Sequence, residues 1–138
     1  MKLITRDTDY AVRSLCYIAK YAERVISVDE LVKCMKIPRP FLRKILQKLC
    51  KARLLDSRKG KGGGFTLVKR PNEIRVIDLI EIFQGPVRLS EHVFKKKLCP
   101  SIKSCALKKK LDVIENYMIS ELGRITIGSL VKGITGKI

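Results

Sequence analysis

The chain has 138 residues, 46% of them hydrophobic, which is the size of one ordinary domain with enough apolar content for a core. Lys and Arg number 30 against 13 Asp and Glu, so the formal net charge of +17 indicates a polyanionic partner rather than a small substrate. No apolar run approaches the ~18 residues of a membrane-spanning helix and no secretory signal opens the sequence, so we expect a cytoplasmic protein with no membrane partner, whose five cysteines are not a disulfide framework.

The first predicted element is an amphipathic helix that begins after residues 5–9 and ends near Glu23. Thr5, Asp7 and Asp9 supply a capping oxygen and negative charge at its start. Cys16 lies beside the apolar stripe and is expected to be a small buried hydrophobe, and we interpret Cys34 and Cys50 in the same way. The apolar stripe itself consists of Tyr10, Ala11, Leu15, Ile18 and Ala19.

Two further helices are predicted to meet at a tight corner. Ser27 and Glu30 have the spacing of a capping box, in which each side chain satisfies a backbone N–H of the first turn. That pattern ends near Lys36, and Pro40 then fits the first turn of the next helix, where a missing N–H costs nothing.

This third helix has one apolar and one basic side. Its apolar stripe is Leu42, Ile45, Leu46 and Leu49, and no acidic residue occurs from position 38 to position 55. A face of one charge sign repels itself unless a polyanion neutralises it, so a surface that is merely solvated is the weaker interpretation. The basic side consists of Arg39, Arg43, Lys44, Gln47, Lys48 and Lys51.

A β-hairpin with a basic glycine tip follows the third helix. The tip reads Arg58-Lys59-Gly60-Lys61-Gly62-Gly63-Gly64 and leads into the β-rich run Phe65-Thr66-Leu67-Val68. Glycine allows positive φ and close approach of another backbone. A phosphate-binding P-loop does not fit, because Phe65-Thr66 replaces the Lys-Ser or Lys-Thr of that motif.

The corner, the basic helix and the hairpin together predict a mainly α fold with a small β-hairpin, namely a winged helix-turn-helix that binds double-stranded DNA. In this fold the second helix of the pair enters the major groove and the wing contacts phosphates or the minor groove. The predicted DNA contacts are Ser27, Arg39, Pro40, Arg43, Lys44, Gln47, Lys48, Arg58, Lys59, Lys61, Gly62 and Gly63.

The second part of the chain predicts a helix, a loop and a long helix. Ile74, Ile77, Ile80 and Phe83 indicate a short helix that Gln84-Gly85-Pro86 ends, and residues 87–104 show no sustained period. The long helix ends at Gly123, and its apolar seam requires a partner helix, most simply that of a second copy in a homodimer. A last short helix over residues 126–131 folds back on the first. We therefore divide the chain into a DNA-binding domain, 1–83, and a sensor loop with a dimerisation helix, 84–138. The predicted dimer contacts are Leu107, Leu111, Ile114 and Met118.

Several of these motifs resemble the Rrf-two (Rrf2) family of bacterial regulators over nearly the whole chain. The resemblance implies a dimeric transcription factor, usually a repressor, that binds a palindromic operator and often senses iron-sulfur status, nitric oxide, redox state or sulfur metabolites. The glycine wing is the specific part of the resemblance. The matching segments are Asp9-Tyr10-Ala11-Val12-Arg13, Ile37-Pro38, residues 41–46, Gly60-Lys61-Gly62-Gly63-Gly64-Phe65, Gln84-Gly85-Pro86, and Cys99-Pro100 with Cys105.

Two departures from the family pattern concern the sensed signal and the operator. Members that bind an iron-sulfur cluster carry three cysteines in the loop, whereas Val93 occupies the position of the third here. The family also often has a glutamate where this chain has Arg43. Glutamate accepts a hydrogen bond from cytosine N4, whereas arginine donates to guanine or phosphate, so the operator sequence cannot be carried over.

The loop leaves two interpretations open. One is an iron-sulfur cluster held by Cys99 and Cys105, with His92 and an Asp9 from the other subunit as substitute ligands, since imidazole replaces thiolate in Rieske-type centres. The other is a loop whose thiols are redox-reactive or merely inherited, the signal then being redox state, a small molecule or a partner protein. The cysteine spacing does not match that of structural zinc sites.

Three classes of function account for these features to different extents. A transcriptional regulator explains the corner, wing, basic face, long helix and loop together. A basic RNA-binding or ribosome-associated protein explains the charge alone, and the 6% of aromatic residues are few for a base-stacking platform. An enzyme is not expected, because the single histidine has no partner in any catalytic motif.

Overall fold

The fold is mainly α-helical with one β-hairpin, as the sequence predicts. The computed structural model describes residues 2–89 and 105–133. Its helices are α1 (Arg6–Lys20), α2 (Val28–Met35), α3 (Arg39–Lys51), α4 (Val76–Gln84), α5 (Ala106–Arg124) and α6 (Ile127–Gly133); its strands are β1 (Leu55–Arg58) and β2 (Gly64–Leu67), and a 3-10 turn spans Pro71–Glu73.

Helix α1 is the central element of the core. Thr5 caps it by accepting a hydrogen bond from the Thr8 amide at 3.5 Å, and the helix ends at Lys20, before the predicted end. The Thr8 hydroxyl, which is buried, donates to Oε1 of Gln84 at 2.6 Å and so fastens the start of α1 to the end of α4. Helices α3, α4 and α6 pack on α1. The buried residues of α1 are Thr8, Ala11, Ser14, Leu15, Cys16 and Ile18.

The capping box of α2 forms only in part. The Glu30 amide donates to Oγ of Ser27 at 3.1 Å, as expected. The Glu30 carboxylate, however, accepts two hydrogen bonds from Arg24 and one from the Tyr17 hydroxyl, each at 2.6 Å, instead of returning to Ser27. A bidentate guanidinium is a stronger donor than a backbone amide, and it lowers the pKa of Glu30. Glu30 therefore links α2 to α1 and to the segment between them.

The apolar stripe of α3 is buried as predicted. Leu42, Leu46 and Leu49 are inaccessible to solvent and Ile45 nearly so. Residue Lys36 ends α2 in the left-handed conformation, and Pro38 is the N-cap of α3, so the corner between the two helices is as short as expected. Because the stripe fixes the rotation of α3, its basic side faces solvent.

The hairpin is joined to the helix-turn-helix by a second backbone pairing. Strands β1 and β2 are antiparallel, with Leu55 opposite Leu67 and Arg58 opposite Gly64. On its other side, the β2 residue Phe65 exchanges hydrogen bonds with Ile26, at 2.8 and 3.1 Å. Ile26 immediately precedes the cap of α2. The wing is therefore held in place by main-chain bonds rather than by side-chain packing alone.

Helix α6 returns to the core and packs on α1, which confirms the prediction that this last short helix folds back. Ile127 is fully buried, and its amide donates to the Ile74 carbonyl at 2.8 Å. The amide of Val76 donates to the Ile125 carbonyl at 2.9 Å. These bonds tie the junction between α5 and α6 to the start of α4. Ile74 thus belongs to this pairing and not to α4, whose helix begins two positions later.

The long helix α5 differs from the prediction at its end and in its faces. Gly123 does not stop it, because the helix continues to Arg124 with Ile125 as its C-cap. Leu122 is buried against α4, and Leu111 and Met118 are half-buried. Tyr117 is exposed and lies outside the predicted seam. The solvent-facing large apolar side chains are Leu107 (67% exposed), Val113 (66%), Ile114 (49%), Tyr117 (67%) and Ile119 (37%).

The helical cysteines are in three different environments. Cys16 is buried, and burial raises the pKa of its thiol to about 11. Cys50 is half-buried, and burial also raises its pKa. The prediction that Cys34 is buried was wrong. Helix α2 turns Leu31 into the core, and Cys34 lies outside that stripe, where its thiol donates to the Tyr17 hydroxyl at 3.4 Å.

Gly64 is required where the wing meets the segment before α2. It has φ of +156°, and a Cβ at this position would overlap the Ile26 carbonyl. Because backbone cannot move aside as a flexible side chain can, we expect Gly64→Ala to lower the free energy of unfolding by about 3 kcal/mol, from overpacking and backbone strain together. Urea denaturation followed by circular dichroism measures this change.

The matched control is Gly60→Ala at the hairpin tip. Gly60 also has a positive φ, +93°, but a Cβ there would meet no atom within 4 Å. Only the left-handed conformation is penalised, so we expect a loss of about 1 kcal/mol. Equal losses for the two variants would contradict the close approach at Gly64.

Candidate nucleic-acid interface

The exposed side of α3 carries a set of basic and polar side chains that nothing in the described chain covers. Arg39, Pro40, Arg43, Lys44 and Gln47 are all exposed. Because the opposite stripe of α3 is buried in the core, these residues point outward to solvent. Helix α3 has no acidic residue in its first turn, so the positive end of its dipole adds to the charge of the side chains.

The structure brings α2, α3 and the wing together around one open cleft of about 350 Å³. Arg39 and Arg43 come from α3, and Arg58 and Lys59 come from the end of β1 and the tip of the hairpin. Their convergence is possible because the pairing of Ile26 with Phe65 holds the wing beside the start of α2. The other residues of the cleft are Ser27, Val28, Asp29, Ser57, Gly60, Gly63, Gly64 and Phe65.

The predicted contacts do not all lie in this cleft. Ser27 lines it, although its hydroxyl also caps α2. Lys44 and Gln47 are exposed further along the outer face of α3, outside the cleft lining. Lys61 and Gly62 are exposed at the wing tip, where Gly62 has φ of +78°. They extend the basic surface beyond the cleft.

Lys48 points to the other flank of α3. Its Nζ lies 5.2 Å from the centroid of the Phe83 ring on α4, in a cation–π contact. On the same flank the Arg6 guanidinium lies 4.9 Å from the centroid of the Phe41 ring. Arg6 is not among the predicted contacts, because the first residue of α1 and the third residue of α3 are brought together only by packing.

An acidic residue in the cleft was also missed. Asp29 forms an ion pair with Arg39 across the corner between α2 and α3. Both side chains are largely exposed, at 66% and 45%, so such a pair contributes little stability to the free protein. The sequence pattern favours α3 as the interface because residues 38–55 contain no acidic residue, whereas Asp29 lies outside that stretch, on α2.

The four candidate metal ligands are only partly within the described residues. Cys99 and His92 lie outside them. The Asp9 carboxylate forms an ion pair with Arg13 at 3.1 Å, and Cys105 is the N-cap of α5. Within residues 2–89 and 105–133, no three His, Cys, Asp or Glu side chains come together as a metal site. The described residues alone therefore do not fit a cluster.

Over the same residues, the helices include none that combines the length and the apolar character needed to cross a membrane.

Comparison with known sequences identifies related regulators. The Rrf2 family, described as iron-dependent transcriptional regulators, matches residues 4–133. A protein of Aquifex aeolicus (strain VF5) named as an HTH-type transcriptional regulator is 45% identical over 74 residues, which are 54% of this chain and only 51% of that protein. Protein aau3 of Rhizobium meliloti (strain 1021) is 32% identical over 130 residues, covering 94% of this chain and 84% of its own.

Solved structures share the fold at low sequence identity. CymR, the global cysteine regulator of B. subtilis, is 21% identical, with a TM-score of 0.79 over 97% of this chain and 99% of its own. IscR of T. potens is 22% identical, with a TM-score of 0.74 over 96% of this chain and 88% of its own. The family description and the name of the Aquifex protein both refer to regulators of transcription. With a family match that extends over residues 4–133, a winged helix-turn-helix and an exposed basic side on α3, the chain belongs to the Rrf2 family of DNA-binding transcriptional regulators.

Proposed function

We propose that this regulator binds a palindromic operator as a homodimer and represses transcription, with one copy of α3 in the major groove of each half-site. The observation that carries the proposal is the shared cleft, where Arg39 and Arg43 of α3 lie beside Arg58 and Lys59 of the wing. Two elements that contact DNA in different ways thus form one continuous surface. The exposed glycines at the wing tip allow its backbone to come close to a phosphate.

The two parts of this surface have different roles in the proposal. Arg43, Lys44 and Gln47 extend from the outer face of α3 and are placed to read base edges in the major groove. Arg58, Lys59 and Lys61 on the wing contact phosphates, which contribute affinity and orientation but no sequence preference. The overall charge of +17 supports strong binding to a polyanion whose strength falls with added salt.

Arg43→Ala is expected to relax the preference at one base pair in each half-site, at a cost of roughly 1 to 3 kcal/mol for a lost bidentate contact. Arg58→Ala should weaken binding to all duplexes alike and reduce the slope of log affinity against log salt by about 0.9, because one phosphate contact is lost. Selection from a randomised duplex library, followed by fluorescence anisotropy at several salt concentrations, measures both effects.

The control for these variants is Arg70→Ala, which removes one exposed positive charge beside the 3-10 turn, outside the cleft. It should leave both base preference and the contribution of the wing unchanged. If simultaneous replacement of Arg43 and Lys44 left duplex affinity as in the wild type, α3 would not be the recognition helix.

The dimer is proposed to form through the exposed apolar side of α5. Leu107, Val113, Ile114 and Tyr117 present large apolar side chains to solvent, and the adjacent stripe of the same helix, which includes Leu122, packs against its own chain. A second copy related by a two-fold axis would cover these residues and would supply the second recognition helix that a palindrome requires. Leu111 and Met118, from the originally predicted seam, would lie at the border between intramolecular and intermolecular packing.

Ile114→Glu and Tyr117→Glu are expected to give monomers, because each places a charge without a partner in the proposed interface, twice per dimer. Analytical ultracentrifugation at micromolar concentration measures the change. Asn116→Glu is the control, since Asn116 is exposed on another side of the same helix and its variant should remain dimeric. A wild-type chain that sediments as a monomer at that concentration would overturn the dimer and, with it, the palindromic operator.

We also propose that the segment containing Cys99 and Cys105 senses a redox signal. In sequence it joins α4, which packs on the DNA-binding core, to α5, which carries the proposed dimer surface. An iron-sulfur cluster, if bound, would supply a redox-sensitive group held by Cys99, Cys105, His92 and Asp9. Thiol oxidation needs only Cys99 and Cys105, whereas a cluster needs two further ligands, so reversible thiol oxidation is the simpler form of the proposal.

We expect hydrogen peroxide to change DNA affinity by joining Cys99 and Cys105 in a disulfide, with two molecules of water formed and the thiols restored by dithiothreitol. Cys99→Ser and Cys105→Ser should abolish the response, whereas Cys34→Ser, which removes an exposed thiol elsewhere, should keep it.

Anaerobic purification with an iron assay and an absorbance spectrum distinguishes thiol sensing from an iron-sulfur cluster. Bound iron that His92→Ala removes would establish a cluster, and a response without iron would establish thiol sensing. If the protein contains no iron and its DNA affinity does not change with hydrogen peroxide, the proposal of a redox sensor is wrong.

A further inference from the structure

Asp29 is an acidic side chain in an otherwise basic DNA-facing cleft. Of the residues that line the cleft, it is the one that carries negative charge, among Arg39, Arg43, Arg58 and Lys59. A carboxylate near DNA phosphates lowers affinity for every duplex. A carboxylate at this place must therefore provide a benefit that offsets the lower DNA affinity.

The neighbouring carboxylate shows that Asp29 is not simply part of the cap of α2. Both Asp29 and Glu30 lie in the first turn, where negative charge favours the helix. Glu30 turns away from the cleft and is held by Arg24 and Tyr17. Asp29 instead extends toward α3 and accepts a hydrogen bond from Nη2 of Arg39.

The ion pair constrains the arginine that opens the recognition helix. Arg39 is the first residue of α3, and a free arginine side chain samples many rotamers. A carboxylate occupies one part of the guanidinium and leaves its other N–H groups free to donate. Water is excluded when DNA covers the cleft, so this exposed pair becomes stronger in the complex than in the free protein. The fork of an arginine oriented in this way matches O6 and N7 of guanine.

We infer that Asp29 is a positioning residue for Arg39, and that the pair sets a preference for guanine at one position of each half-site. The inference rests on the proposed binding of α3 in the major groove. It adds a determinant of specificity that lies on α2 and contacts the DNA only through a second side chain.

The test compares Asp29→Asn, Arg39→Ala and the double variant by selection from a randomised duplex library and by competition with single-base changes in the selected duplex. Wild type should prefer guanine at one position of each half-site. Arg39→Ala should lose that preference by about tenfold. Asp29→Asn should lose much of it at the same position, yet bind unrelated duplexes at least as tightly as wild type, because a negative charge is gone. The double variant should match Arg39→Ala.

The control is Asp56→Asn, which removes one exposed negative charge from strand β1. It should raise general affinity in the same way without changing any base preference. Thermal unfolding of all variants verifies that the helix-turn-helix is intact, and Asp29→Glu, which keeps the carboxylate, should retain the preference.

The results separate this inference from the proposed function. If wild type selects a sequence and Arg43→Ala alters it, while Asp29→Asn keeps the wild-type profile or changes a different position from Arg39→Ala, the positioning role is overturned and α3 remains the recognition helix. A uniform loss across all sequences in Arg39→Ala would show a phosphate contact and would also overturn the inference. A wild-type chain without any duplex preference would overturn both.

Discussion

The backbone pairing between Ile26 and Phe65 is the constraint on which the rest of the proposed DNA-binding surface depends. It fixes the wing beside the start of α2, and Gly64 permits the close approach of the two backbones. Without it, Arg58 and Lys59 would belong to a hairpin held by side-chain packing and by the link from β1 to α3, and their distance from Arg39 and Arg43 would be less well defined. α3 and the wing can fit the groove and the phosphates together only if the distance between them is fixed. If the wing became ordered only on binding, the entropy cost would weaken the complex.

Local patterns in the sequence were sufficient for the elements and most of the core. The stripe of α3 and the glycine hairpin follow from short-range periodicity and turn chemistry, and the structure has both. Contacts between distant segments were not predictable in this way. The pair of Asp29 with Arg39, the stacking of Arg6 on Phe41 and the diversion of Glu30 to Arg24 all depend on how the helices meet.

The packing of the long helix α5 was also not predictable from the sequence pattern. Its apolar residues form two adjacent stripes, and periodicity alone merges them into one seam. Leu111, Met118 and Leu122 face the chain's own fold, while Val113 and Tyr117 face solvent. Only the packed structure tells which stripe is already covered. Gly123 was misleading for a related reason, since glycine often ends a helix but is also tolerated within one when the next residues remain helical.

The attachment of α5 gives it the properties of a lever. Its C-terminal half is fastened by Leu122, by the backbone bond from Val76 to Ile125 and by the bond from the Leu89 amide to Glu115, while its first residue lies nine residues before Glu115, about 14 Å along the helix. A rotation of ten degrees about the fastened half would displace the far end by roughly 2 Å over that length. A modest change in how α4 packs would thus be enlarged at Cys105, and a chemical event near Cys105 would act on α4 with mechanical advantage.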